Sequence, residues 1–177
     1  MIEVSMTTFP RDEDWIEVKR RALITVGKDI KNAPDLDWKK AMIECRHSPL
    51  RWIRFSFTFR NLPYYISVHF VRHHVAIEKY VRSQRNDRQS EYNREKAPQD
   101  APVDMIMDFN GESLLEFFNK RLCHCAAKET RDVVDLMVIL VREKCPEYAD
   151  FIEPMCFRQG GVCHEFKSCG LCKNYKK

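Results

Sequence analysis

Apolar and polar residues alternate in two distinct registers along this chain. From Ile53 to Phe59 the pattern Ile-x-Phe-x-Phe-x-Phe has strict period two. It predicts a half-buried strand with Arg54, Ser56 and Thr58 on the opposite face. Val103 to Phe109 alternates in the same way and predicts a second strand, while residues 2–8 alternate weakly enough to open a third. Elsewhere the apolar residues return at helical spacing. Trp15, Val18, Ala22, Leu23 and Val26 predict a helix capped by Asp12 or Asp14 and running to about Gly27. A short helix is expected over 36–45. Asn61 to Pro63 reads as a turn, with Pro63 opening a helix over 64–74. Leu114, Leu115, Phe117, Phe118 and Leu122 stripe a helix from about Ser113, and Val133, Val134, Met137 and Leu140 stripe another over 129–141. Pro146 and Pro154 bracket a last short helix, and residues 83–102 are polar and loop-like. A few strands with helices packed on them make an α+β domain.

Length and composition narrow the class. The 177 residues are 44% hydrophobic and 32% charged, which excludes global disorder and suits one globular domain, with or without a small appendage. No apolar run approaches the roughly 20 residues of a membrane span, and no signal-peptide core follows Met1, so a cytoplasmic protein is expected. The net charge of +4, from 30 Lys and Arg against 26 Asp and Glu, is too mild to argue for nucleic acid. Its distribution is more informative: arginine is concentrated between Arg72 and Arg94, and guanidinium groups suit a phosphate-bearing ligand.

Four of the eight cysteines, Cys156, Cys163, Cys169 and Cys172, crowd into the end of the chain. This places a Cys-rich tail at 155–177 beside a main domain at 1–154. Four thiols in a short Gly-containing segment can close a tetrahedral zinc site or hold an iron–sulfur cluster; unmetallated thiols on a loose tail are the bland alternative. His124 is expected to pack rather than ligate. The triplet Cys123-His124-Cys125 is discounted as a metal site, because adjacent residues do not share a helical face.

Arg72-His73-His74 closes the expected 64–74 helix, and Ser83-Gln84-Arg85 follows nine positions later. Arg72, Arg85, Arg94 and Arg121 could converge on one anion if their elements fold back on one another. The competing explanation is four surface arginines in ordinary ion pairs.

Several blocks in register from about His47 to Arg131 resemble the flavin-dependent thymidylate synthases. They are His47-Ser48-Pro49 with the Phe55 to Phe59 strand, Arg72-His73-His74, Ser83-Gln84-Arg85, Arg94-Glu95-Lys96-Ala97-Pro98, Asn110-Gly111-Glu112-Ser113-Leu114, and Arg121 with Ala126, Glu129 and Arg131. The resemblance implies a central, mostly antiparallel sheet with packed helices. It also implies an enzyme that methylates dUMP to dTMP with FAD (or FMN), methylenetetrahydrofolate and NADPH, working as a homotetramer with interfacial active sites. Carried over by position, Arg72, Ser83, Arg85, Arg94 and Arg121 hold the nucleotide, with Arg72, Ser83 and Arg121 catalytic. Arg72, His73, His74 and Asn110 face the flavin. The aromatic set Phe55, Phe57, Phe59, Tyr64, Tyr65 and Phe70 offers apolar surface for such an assembly. Departures from the family pattern cluster on the flavin side: His74, His69, Arg51-Trp52, Val81, Glu112 and Glu116. Two other functions stay open: a related modification, such as hydroxymethylation, of another pyrimidine deoxynucleotide, and a non-enzymatic nucleotide- or nucleic-acid-binding protein.

Overall fold

The computed structural model describes residues 1–85, 87–88 and 93–176. Among them four strands form one antiparallel sheet: β1 (Glu3–Thr8), β2 (Arg54–Pro63), β3 (Ile77–Val81) and β4 (Pro102–Asn110), in the order β1-β2-β4-β3. The two strongly alternating segments are thus neighbours at the centre, paired Phe55 to Phe109 and Phe57 to Met107. Their alternation sorts the side chains. Phe55, Phe57, Phe59, Val103, Met105, Met107 and Phe109 are buried on one face. Tyr80 and Ile106 lie exposed, beside half-buried Ser56 and Thr58, on the other.

Helices cover the buried face: α1 (Asp12–Ile24), α2 (Leu36–Glu44), α3 (Tyr64–Val71), α4 (Gly111–Arg121), α5 (Lys128–Lys144) and the short α6 (Met155–Arg158). Phe117 of α4 is the hub. Its ring lies 5.3 Å from Phe109 of β4 and 5.4 Å from Phe70 of α3, in edge-to-face contacts that tie both helices to the sheet. Trp15 of α1 is buried and donates its indole N–H to the buried carboxylate of Glu147 at 2.9 Å. Pro146–Phe151, expected as a short helix, is a 3-10 turn.

Several local expectations are corrected. Arg11, not an aspartate, is the N-cap of α1; Asp14 instead reaches back to accept from the Arg11 N–H at 3.0 Å. Asn61 to Pro63 does not leave the sheet. β2 continues to Pro63 through an irregular register after Phe59, with Asn61 in a left-handed conformation (φ 54°). The 64–74 helix stops at Val71 with Arg72 as its cap, so His73 and His74 lie beyond it. The aromatic surplus is largely spent inside one chain, because Phe55, Phe57, Phe59 and Phe70 are each at most 1% exposed. Among the described residues, no helix is long and apolar enough to cross a membrane.

Candidate functional site

A cavity of about 940 Å³ opens where β4 passes into α4, lined also by the segment after α3 and by the tail. Local sequence explains its back wall. Asn110 is the N-cap of α4, its Oδ1 accepting from the N–H groups of Glu112 (3.0 Å) and Ser113 (2.8 Å). Ser113 Oγ accepts in return from the Asn110 N–H at 3.0 Å and donates to Ala76 O at 2.9 Å. Asn110-x-x-Ser113 is therefore a capping box that also fastens the segment before β3 to the helix start. Gly111 is required there, since a Cβ would run into Tyr148 Oη and sit 2.8 Å from Leu50 O.

At the other end of α4, Arg121 Nε donates to His73 Nε2 at 2.6 Å, and its Nη2 donates to His69 O. His73 packs edge-on against Phe117 at 5.0 Å, while its carbonyl accepts from Lys79. Burial first, and the Arg121 charge second, push the imidazole down to about 4. It is neutral at pH 7, with Nε2 as acceptor and the proton on Nδ1.

The lining is electropositive. Arg46, Arg51, Arg72, Lys120, Arg121 and Arg158 face Glu112, Glu116 and Glu165. Glu112 is committed to Arg51 in an ion pair at 2.6 Å, so two of the departures from the family pattern neutralise each other. Arg46 has a left-handed backbone (φ 50°) and donates to Asn119 Oδ1 at 2.9 Å. Its Nε is buried and finds no hydrogen-bond partner among the described residues. Burial, reinforced by Arg158, lowers its guanidinium to about 10. A buried donor without an acceptor, beside a second guanidinium, fits an anionic ligand. The donor set thus suits the phosphate groups of a nucleotide or a flavin dinucleotide.

Of the residues expected from sequence, Arg72, His73, His74, Asn110 and Arg121 all line this cavity. Ser83, Arg85 and Arg94 do not; they are exposed in the segment after β3. Arg85 there pairs with Asp87 through contacts of 2.9 and 2.8 Å. Arg46, Lys120 and Arg158 went unnoticed in the sequence. Arg46 stands just before the His47-Ser48-Pro49 block, which is the one signal that pointed near it.

The thiols are arranged differently from expectation. The connection between α4 and α5 is not helical, and Cys123 and Cys125 point toward Cys169, the three Sγ atoms lying within 4.8 Å of one another. The discounted triplet therefore supplies two members of the thiol cluster. Among the described residues this is the one group of three such side chains close enough to share an ion, and Cys156, Cys163 and Cys172 are not in it. His124, expected to pack, is exposed.

An α+β domain with an antiparallel sheet and a basic cavity at the β4–α4 junction defines the class, and comparison with known proteins narrows it. Residues 86–147 match the family described as thymidylate synthase complementing protein. A UMP/dUMP methylase, PolB, from Streptomyces cacaoi, solved with 5-Br dUMP, has the same fold at a TM-score of 0.66 and 15% identity, over 85% of this chain and 94% of that one. Thymidylate synthase X from Helicobacter pylori, solved with FAD and dUMP, matches at 0.66 and 14%, over 86% and 97%. No curated protein matches by sequence. The chain is thus similar to the thymidylate synthase complementing family over residues 86–147 and shares the fold of both of these enzymes.

Proposed function

We propose that this chain is a flavin-dependent methylase of a pyrimidine nucleotide, converting dUMP to dTMP with methylenetetrahydrofolate as carbon donor and NADPH as reductant. The observation that carries this reading is the meeting of Arg72, His73, Asn110 and Arg121, from three separate sequence blocks, around one electropositive cavity. FAD, or FMN, supplies the hydride chemistry when bound. The protein's part is to bind and orient. Arg72 and Arg158 offer forked donors to phosphate oxygens, and Arg46 adds its unpartnered Nε–H. Neutral His73 offers an uncharged edge to a ring system and holds Arg121, whose remaining N–H groups are free for the nucleotide. Asn110, locked as a helix cap, fixes the wall against which a ring could lie.

Ser83, Arg85 and Arg94 enter this reading through assembly. In a homotetramer with interfacial sites, these residues from a neighbouring copy would complete the nucleotide side of the cavity. The chain is then organised as a cytoplasmic catalytic domain at 1–154 with a Cys-rich tail at 155–177. The likeness to a UMP/dUMP methylase supports a second reading, in which UMP is also a substrate.

The deciding experiment supplies purified protein with FAD, NADPH and methylenetetrahydrofolate, and offers dUMP, UMP and dCMP in parallel. Mass spectrometry of the nucleotides should show a 5-methyl product from dUMP. A hydroxymethyl product, or methylation of UMP alone, would redirect the assignment. No product from any of them, with no nucleotide affinity in calorimetry, would overturn it.

A further inference from the structure

We propose that Cys123, Cys125 and Cys169 hold a zinc ion that staples the C-terminal tail to the rim of the cavity. The three thiols come from two distant segments. Cys123 and Cys125 lie in the connection leaving α4, and Cys169 lies in the tail. Cys123 Sγ and Cys169 Sγ are 3.9 Å apart. Zinc–thiolate bonds of about 2.3 Å at tetrahedral angles separate neighbouring sulfurs by about 3.8 Å, so this edge already has the spacing a bound ion demands.

The backbone on both sides is built to hold these positions. Arg131 of α5 reaches back to the carbonyls of His124 (3.4 Å) and Ala126, fixing the loop between its two cysteines. On the tail side, Gly170 takes a left-handed conformation (φ 82°) and its N–H donates to Ser168 Oγ at 3.1 Å, turning the chain immediately after Cys169. Cys125 Sγ also approaches Lys167 O at 3.6 Å, so the two segments already touch. Three soft ligands with no carboxylate among them select zinc over magnesium or calcium. Solvent takes the fourth position. Binding displaces the thiol protons to solvent and changes no oxidation state.

The consequence reaches the cavity. Cys123 follows Arg121 by two residues, and Cys123, Cys125 and Glu165 all line the rim. A metal here fixes the end of α4 that carries Arg121 and holds the tail against it.

The test is metal content. Protein purified under reducing conditions and exchanged against zinc should carry one equivalent per chain, and cobalt in its place should give a thiolate-to-metal charge-transfer band. Cys169→Ser and Cys125→Ser, both at exposed positions, should lose the metal and expose the tail to protease while keeping the wild-type circular dichroism. Cys45→Ser, away from the cluster, should keep it. Wild-type protein that takes up neither metal would overturn the proposal. So would full occupancy in both cluster variants, or a Cys123–Cys169 disulfide found in its place.

Discussion

Arg121 Nε donates to His73 Nε2 at 2.6 Å, which binds the end of α4 to the segment just after α3. The bond requires a neutral imidazole, and burial beside Arg121 keeps it so down to about pH 4. An unfolded histidine titrates near its ordinary value of 6.5. Between those two values the unfolded chain binds the extra proton and the folded chain does not, so stability rises with pH across that window and falls as acid is added. Discounted for the partial exposure of His73, the loss from pH 7 to pH 4 is on the order of 1–2 kcal/mol. Urea midpoints across this range should show it, and His73→Asn should flatten the profile.

Arg121→Ala should leave the fold intact, because the side chain is only half-buried, yet weaken dUMP binding about 30-fold or more, as expected for a lost charged contact. Titration calorimetry measures this directly. Unchanged affinity would remove Arg121 from the nucleotide site.

The Arg51–Glu112 pair keeps a carboxylate from repelling an anion in the cavity. Arg51→Ala should therefore reduce affinity for a phosphate-bearing ligand several-fold, and adding Glu112→Ala should restore most of it. A double-mutant cycle on ligand affinity reads the coupling; additive losses would mean that the pair does not serve the cavity.

Gly111→Ala should destabilise the domain by about 2–4 kcal/mol, because its Cβ meets Tyr148 Oη and the Leu50 carbonyl within a packed core. Tyr148 Oη is buried and has no hydrogen-bond partner among the described residues. Tyr148→Phe should thus cost less than about 1 kcal/mol and partly rescue Gly111→Ala in thermal melts.

Arg94→Ala and Arg121→Ala should each be inactive alone yet recover part of the activity when co-expressed, if neighbouring copies share each site. Failure to complement, with both variants folded and assembled, would confine the site to one chain.

The centre of the sheet was legible because period-two alternation leaves a strand one choice of buried face, and β4 shows it throughout and β2 as far as Phe59. Helix stripes were equally plain in α1, α4 and α5. Ends were less so: the 64–74 helix overran by three residues, since nothing local told Arg72 apart from the helix it caps. Arg72, His73, Asn110 and Arg121 could be picked out by order and spacing, which sequence preserves. Their meeting in one cavity depended on how α3, β4 and α4 pack around Phe117. Arg46 and the Cys123–Cys125–Cys169 cluster escaped for the same reason. A side chain's chemistry is written in its own residue, but its partners are set by contacts between segments far apart in the chain, and no local pattern encodes those distances.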